Sequence, residues 1–177
     1  MRLRTVVLVL VLSACGASTP SSSMPGRALA AASASDEELF DNGIDPVAVG
    51  LALDDPAPPA TDAVLRRRVQ ACDAVLRVQV RTVTSKPENG EPVYLVSLRP
   101  LALIVGDHPP SGDFTVGLDR HSAGYGIVRN FEGRLVGKTF LAFVRAFGGK
   151  DGEPDLRFHL SPDKPEYVAA AATLRGR

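Results

Sequence analysis

The strongest constraint on the fold is an alternation of apolar and polar side chains in AVLRVQVRTVT, residues 74–84. The apolar members are Leu76, Val78 and Val80, and the polar members are Arg77, Gln79 and Arg81. A β-strand turns successive side chains to opposite faces, so this order separates the two sets onto different faces. The segment therefore predicts a strand with one buried face.

The residues that follow predict a partner for this strand. SKPENGEP contains Asn89-Gly90, a dipeptide favoured in two-residue hairpin turns. The apolar stretch VYLVSLRPLALIVG, residues 93–106, comes next. Pro100 interrupts it, and because proline cannot donate to the ladder we expect a bulge or bend there. Three more segments predict strands and bring the number to five: FTVGLD, KTFLAFVRAF and LRFHL.

Helical patterns flank the predicted strands. TDAVLRRRVQAC, residues 61–72, has one apolar side and a capping residue at Thr61 or Asp62. PDKPEYVAAAATLR, residues 162–175, is rich in alanine and has a proline near its start. Curling antiparallel strands into a barrel leaves few exposed edges. We therefore predict a mainly β fold, a small five-stranded antiparallel OB-like barrel flanked by N- and C-terminal helices.

The N-terminus has the pattern of an export signal. Arg2 and Arg4 precede a short apolar run, and small residues precede Cys15. The run is shorter than the roughly 20 residues that a membrane-spanning helix needs. LSAC, residues 12–15, resembles the lipobox of bacterial lipoproteins, which implies cleavage before Cys15, acylation of that residue and anchoring in the lipid bilayer. The alternative is an ordinary signal peptide cut near ALAAAS, residues 28–33.

Composition divides the rest of the chain. Residues 15–35 are rich in Ser, Ala and Pro, with too little apolar surface to offset the entropy of folding, and predict a flexible tether. Residues 36–60 predict an N-terminal arm and connector. Within it, SDEELF, residues 35–40, predicts a helix start with Ser35 as its cap, and PVAVGLAL, residues 46–53, is either a strand or a packed irregular segment. Residues 61–177 predict the barrel domain. With 1–14 as the signal peptide, Gly16 rather than aspartate after the cysteine favours the outer membrane over the inner membrane.

The net charge argues against nucleic acid as a partner. The chain has 20 basic and 20 acidic residues. Removal of residues 1–14 takes away two arginines and leaves a net charge of −2. Such a chain has no strongly basic field that would attract a polyanion. The one basic run, Arg66 to Arg68, spreads around a helix and is predicted to be solvated surface.

Few residues carry a pattern associated with chemistry. Cys72 has no histidine close in sequence, so we expect it to pack in the core as a small apolar residue. The three histidines lack metal-ligand spacing, and His159 alternates with apolar residues, which predicts an outward-facing side chain. The sequence predicts no cofactor and no metal site. The acidic residues of one hairpin tip predict a solvated turn rather than a calcium site: Asp151, Glu153 and Asp155.

Three segments resemble landmarks of netrin-like domains, the family that includes tissue inhibitors of metalloproteinases: ACDAVLRVQVRTV, YLVSLRPLALIVGDHPP and LVGKTFLAFVRAF. The resemblance covers residues 62–172 and implies an OB-type five-stranded barrel with terminal helices. The animal inhibitors chelate protease zinc through a free N-terminal cysteine that disulfides hold in place. Here Cys15 would be acylated on a tether, and Cys72 would have no disulfide partner. The resemblance therefore implies the fold and not the inhibitory mechanism.

If the chain has a binding surface, its best candidate is the loop RHSAGYGIVRNFEGRLVG, residues 120–137, since loops of this length in compact domains are either functional or merely mobile. Its candidate contact residues are Arg120, His121, Tyr125, Arg129 and Phe131. The sequence contains no recognisable motif that pairs a nucleophile with a base. It therefore predicts a non-catalytic, lipid-anchored module that binds a protein or glycan at the bacterial cell envelope. The alternatives are a structural or assembly subunit of an envelope complex and, less favoured, a hydrolase.

Overall fold

The computed structural model describes residues 29–51, 57–149 and 153–176, and within these ranges the chain forms four α-helices and six β-strands. The helices are α1 (Ala34–Leu39), α2 (Ala63–Ala71), α3 (Tyr125–Leu135) and α4 (Pro165–Arg175). The strands are β1 (Gly43–Ile44), β2 (Ala74–Glu88), β3 (Glu91–Gly106), β4 (Phe114–Leu118), β5 (Thr139–Gly148) and β6 (Pro154–Pro162). A 3-10 helix covers Pro46–Val49. None of the helices in these ranges is long and apolar enough to cross a membrane.

The strands form one mixed sheet in the order β1-β6-β5-β2-β3-β4, which curls into a half-barrel. Four neighbouring pairs are antiparallel, and β1 pairs with β6 in parallel. The mainly β architecture is confirmed, whereas the prediction of five strands, all antiparallel, is wrong. The sixth strand, β1, has two residues. A segment of that length contains no periodicity, so the sequence pattern could not separate it from an irregular arm.

The concave face of the sheet encloses the main apolar core. Leu76, Val78 and Val80 of β2 lie in this core together with Phe140 and Ala142 of β5. The next residues along β5 face the opposite side of the sheet, in a second apolar cluster: Leu141 and Phe143. The alternation predicted for these two strands is therefore confirmed, because both strands obey the two-residue period of a pleated sheet.

The predicted irregularity at Pro100 is also present. Along the β2–β3 ladder, Arg77 pairs with Ala102 and Val78 pairs with Pro100, so Leu101 is an extra residue in β3. A bulge of this kind bends and twists its strand locally. The bend lets the long β2–β3 hairpin contribute to a curled sheet instead of a flat one.

Helices α1, α2 and α4 pack together over the outer face of β2 and β5 and form the second apolar cluster. The two helices predicted to flank the barrel are thus present, but they share one face with α1. Arg175 at the end of α4 ties them together. Its Nη1 atom donates to the carbonyl oxygens of Val69, Gln70 and Cys72 at 2.9, 3.3 and 2.9 Å. The C-terminus of α2, where carbonyls lack helical partners, is therefore satisfied by a neighbouring helix.

Helix α1 begins earlier than predicted and is held by ion pairs. Its N-cap is Ser33, which forms a reciprocal capping box with Asp36, and not Ser35. The three consecutive acids of α1 pair with arginines from three different elements, at 2.8, 3.1 and 3.6 Å: Asp36 with Arg145, Glu37 with Arg157, and Glu38 with Arg67. The acidic run therefore fastens α1 to β5, β6 and α2.

The N-terminal arm belongs to the fold. The backbone N–H of Gly148 donates to the carbonyl of Ala30 at 2.9 Å, so residues 29–35 of the predicted tether already contact the sheet. Beyond them, the arm adds β1 to the edge of β6, and Asp45 N–H donates to the carbonyl of Leu160 at 2.8 Å. The remainder of the predicted tether, including Cys15, and the signal segment lie outside the described residues.

The predicted loop at residues 120–137 is mostly helical, so the prediction of a loop is wrong for Tyr125–Leu135. Helix α3 starts after Gly124 without a side-chain cap and is irregular at Phe131. Two glycines and the missing cap weaken the helical signal in the sequence. The helix is stabilised instead by tertiary packing, because Val128 and Leu135 are fully buried in the main core.

Candidate functional site

The two edges of the curled sheet approach each other at one point, which we call the seam. The backbone N–H groups of Ala123 and Gly124 donate to the carbonyls of Asp41 and Asn42, both at 3.1 Å. A Cβ atom on Gly124 would lie 2.7 Å from the Asn42 carbonyl oxygen and 2.8 Å from the Leu118 side chain. Only a residue without a side chain allows this approach, so Gly124 is what lets the half-barrel close here.

A cleft of about 550 Å³ lies beside the seam, and we call it the seam cleft. Residues from four parts of the fold line it. They come from the end of α1 and the segment after it (Phe40, Asp41, Asn42), the β2–β3 hairpin (Glu88, Val93), β4 with its following turn (Gly117, Asp119, His121), and β6 (Asp155, Arg157). A smaller pocket of about 310 Å³ shares Glu88, Val93, Asp119 and His121 with it and extends towards Glu91 and Arg120. The two together run from the seam to the hairpin tip.

Two of the five predicted contact residues reach this site. His121 lines both cavities, and Arg120 lines the smaller one. Arg120 is held by Glu91 at 3.0 Å, between its Nη1 atom and Oε1, and its Nε lies 3.2 Å from Nε2 of His121. The β2–β3 hairpin and the turn after β4 are thereby tied together.

The other three predicted residues lie on α3, away from the cavity lining. Tyr125 packs edge-on against Tyr94 of β3, with ring centroids 5.4 Å apart. Phe131 is half-buried under the guanidinium of Arg134, which lies 5.1 Å from its ring centroid. Arg129 is exposed on the same helix. Because residues 125–135 are helical, the structure does not gather the five residues at one surface.

Asp119 organises the turn between β4 and α3. Its Oδ1 atom accepts hydrogen bonds from the backbone N–H of His121 at 2.9 Å, and from the backbone N–H and the hydroxyl of Ser122, both at 3.1 Å. Partial burial alone would raise the pKa of Asp119, but these hydrogen bonds together hold it below its ordinary value. The carboxylate is therefore ionised at neutral pH and faces the cleft.

The charge of the combined site is strongly acidic. Six carboxylates and two arginines line the two cavities. Both arginines already have partners: Arg157 pairs with Glu37 and Asp155 at 3.1 and 2.9 Å, and Arg120 pairs with Glu91. The surplus of negative charge disfavours a polyanionic ligand such as nucleic acid.

One wall of the cleft rests on a side-chain contact between Asp41 and His159. Nδ1 of His159 lies 3.0 Å from Oδ1 of Asp41, and the histidine side chain is 14% exposed. His159 does face away from the main core, as its alternation predicts, but α1 and the arm cover it. Burial lowers the pKa of His159 and outweighs the opposing effect of Asp41, and the cation of Arg68 lowers it further. Burial would raise the pKa of Asp41, but its contacts with His159 hold it low.

The basic run on α2 is not uniformly solvated. Arg66 is exposed, and Arg67 pairs at the surface with α1. Arg68 is buried, and its Nε donates to the carbonyl of Leu39 at 2.8 Å. The prediction of solvated surface is therefore wrong for Arg68, because the third residue of the run falls on the helix face that α1 and the arm cover.

Cys72 is the one cysteine in the described part of the chain, and it packs as predicted. It is buried in the second apolar cluster, and burial raises the pKa of its thiol to about 11. Of the three acids at the β5–β6 hairpin, Asp155 pairs with Arg157, and Asp151 lies outside the described residues. In the described ranges no group of three or more potential ligand side chains is arranged to hold a metal ion.

The Asp41–His159 pair makes stability depend on pH. The pKa of His159 is below its ordinary value of 6.5, so the unfolded chain takes up the proton first. The stability contributed by neutral His159 is complete above pH 6.5 and declines as the pH falls below it. The lowered pKa of Asp41 acts in a separate window, below its ordinary value of 3.8. We expect the melting temperature to fall on acidification from about pH 7.5 to about pH 5.

His159→Gln should flatten this dependence, and melting curves at each pH measure it. His108→Gln, at an exposed histidine, is the matched control and should leave the slope as in the wild type. An equal slope in the wild type and in His159→Gln would contradict the assignment of the acid sensitivity to this pair.

Most of the residues that line the cleft are not among the candidates that the sequence pattern predicts. Asp41 and Asn42 precede Gly43 in a DNG turn signal, and Gly117 breaks the apolar alternation of FTVGLD. Both signals indicate unusual backbone sites. Neither signal indicates that the Asp41–Asn42 turn and Gly117 lie in the same cleft, because their proximity depends on how far the sheet curls.

Comparison with protein-family models gives no match for this chain, and a search of curated proteins gives none either.

Proposed function

We propose that this protein is a lipid-anchored lipoprotein of the bacterial cell envelope, whose OB-type half-barrel binds a protein or glycan partner in the seam cleft. The observation that carries the proposal is the cleft itself. It is large enough for several residues of a ligand, and it lies where the edges of the sheet, a hairpin and a turn converge. The relationship of this domain to netrin-like domains, which the sequence resemblance implies, is part of the same proposal.

The position of the cleft fits an OB-type domain. Such domains bind oligomers on the face of their second and third strands and on the loops that join strands one to two and four to five. If the five long strands are numbered from β2, Val93 and Gly117 belong to the second and third strands. Glu88 borders the first hairpin, and Asp155 borders the last one.

The side chains near the cleft support binding without catalysis. Asp41 and His159 form the pair that a hydrolase would use to activate a nucleophile. Among the described residues, no serine hydroxyl or cysteine thiol is hydrogen-bonded to His159. The pair instead joins the arm to β6, which is a structural task.

The lipid anchor is tested directly. Cys15→Ser should abolish incorporation of labelled fatty acid and move the protein from the membrane to the soluble fraction, because acyl chains supply the anchoring energy. Metabolic labelling followed by fractionation measures both, and Cys72→Ser, at the buried thiol, is the control that should keep the label. Absence of label in the wild type would show that the LSAC segment is not a lipobox.

A second candidate is an accessory subunit of an envelope complex. Leu101 and Leu103 of β3 are 48% and 49% exposed, beyond the point where β4 stops pairing with β3 at Leu98. Exposed apolar residues on one strand are typical of contact surfaces. Isolation of the native protein in a stable larger complex that Leu103→Asp disrupts, without loss of melting temperature, would favour this candidate.

A further inference from the structure

The outer edge of β4 is unpaired. β4 is the last strand of the sheet, and β3 is the one strand that pairs with it among the described residues. Among the described residues no ladder joins β4 to β1, and the two seam hydrogen bonds connect the segments next to these strands. An unpaired edge presents backbone N–H and carbonyl groups to any extended chain that can reach it.

Gly117 leaves the outer face of this edge strand open towards the cleft. It lies on β4, lines the cleft, and a Cβ atom added to it would meet no atom within 4 Å. Its backbone does not need a positive φ, so conformational strain does not account for a glycine here. A glycine inside a strand often marks a place where another backbone approaches closely.

The negative charge of the cleft walls indicates which class of ligand binds there. Asp119 is ionised, and its hydrogen bonds come from its own turn, with no lysine or arginine in ion-pair distance among the described residues. Glu88 pairs with Lys86 at 3.3 Å, but both side chains are 54% exposed and such a pair exchanges easily with another cation. The two carboxylates line the cleft together with Gly117, Glu88 from the hairpin and Asp119 from the turn after β4.

We propose that the seam cleft binds an extended basic polypeptide segment, which adds its backbone to the open edge of β4 and places lysine or arginine side chains against Asp119 and Glu88. This rests on the proposed function and specifies its partner class. Strand addition supplies affinity through main-chain hydrogen bonds, and pockets for alternate side chains supply specificity. A neutral glycan would use neither the open edge nor the surplus of carboxylates.

The test uses the full chain carrying Cys15→Ser and a fluorescein-labelled peptide of about ten residues in which lysine alternates with valine, a length that covers β4. Fluorescence anisotropy should show saturable binding that weakens with salt, and no binding of the counterpart with glutamate in place of lysine. A version N-methylated at alternate residues should lose binding, because it cannot form the ladder. Equal binding of the N-methylated peptide would overturn the inference.

Two variants locate the peptide. Gly117→Val should weaken binding by about tenfold or more, because the valine fills the space over β4, while the melting temperature stays at or above that of the wild type. Asp119→Asn keeps the oxygen that organises the turn and should weaken binding about fivefold. Thr115→Val, exposed on the same strand outside the cavity lining, is the control and should change neither quantity. Unchanged affinity in Gly117→Val would overturn the inference.

A mixture of neutral oligosaccharides, tested on the same variants, separates this inference from the proposed function. Oligosaccharide binding that Gly117→Val abolishes, with no binding of the lysine peptide, would overturn the basic-peptide inference and leave the cleft as the binding site. Insensitivity of every ligand to Gly117→Val would remove the cleft from the proposed function as well.

Discussion

Val78→Asp is expected to unfold the protein. Val78 is fully buried in the main core and pairs with Phe140 on one side and Pro100 on the other. An aspartate there would place a carboxylate among apolar side chains with no cationic partner, at a cost of about 4 kcal/mol or more. That is a large part of the stability of a domain of this size. Circular dichroism and urea denaturation of the purified variant would measure the loss.

Gln79→Asp is the matched control for this substitution. Gln79 points to the other face, and its side-chain nitrogen donates to the carbonyl of Gly137 at 3.1 Å. Replacement removes one exposed hydrogen bond and should cost about 1 kcal/mol. A strand places neighbouring side chains in opposite environments, so the two variants should differ severalfold in destabilisation. Similar losses in both would contradict the orientation of β2.

Gly124→Ala should produce the second largest loss, about 2–3 kcal/mol, because a methyl group would force the seam apart or displace Leu118. The nearest obstacle is the backbone oxygen of Asn42, which cannot rotate away as a side chain could. The structural change should be confined to the seam. The free energy of unfolding of the whole domain should nevertheless fall, because the seam joins the two ends of the sheet. Urea denaturation measures the loss, and hydrogen exchange at Ala123 and Gly124 measures opening of the seam.

Gly126→Ala, two residues further on, should have the opposite sign. Gly126 is exposed within α3, and a Cβ atom there would meet nothing within 4 Å. Gly126 is the second residue of α3, and alanine in a helix is more favourable than glycine by up to about 1 kcal/mol. A destabilising effect of Gly126→Ala comparable to that of Gly124→Ala would show that the helix, and not the seam, is sensitive to substitution.

The parts of the fold that the sequence predicts well are those that local periodicity controls. The β2 alternation, the Asn89-Gly90 turn and the irregularity at Pro100 each depend on a few neighbouring residues. Asn89 and Gly90 both have positive φ, as the two-residue hairpin turn requires. In the same way, the burial of Cys72 follows from its place on the apolar side of a short helix.

The parts that the sequence does not predict depend on distant contacts. Helix α3 has weak intrinsic propensity and is stabilised because Val128 and Leu135 pack into the core. Strand β1 has two residues, and its existence depends on the edge of β6. The seam cleft depends on both, since β1 supports one of its walls and α3 begins at its turn. Of the five candidate contact residues, the two that reach the cleft or the smaller pocket beside it are those that precede the helix.

The parallel pairing of β1 with β6 has a consequence for the order of assembly. Asp41 and His159, which fasten this pairing, are 118 positions apart in sequence. Contacts between such distant positions form late, because the entropy of closing the intervening chain must be overcome first. A chain made from its N-terminus presents α1 and β1 long before the last hairpin exists. The arm therefore docks only after the C-terminal strands have formed. A truncated or stalled chain would lack a complete cleft even if its β2–β3 hairpin had already formed.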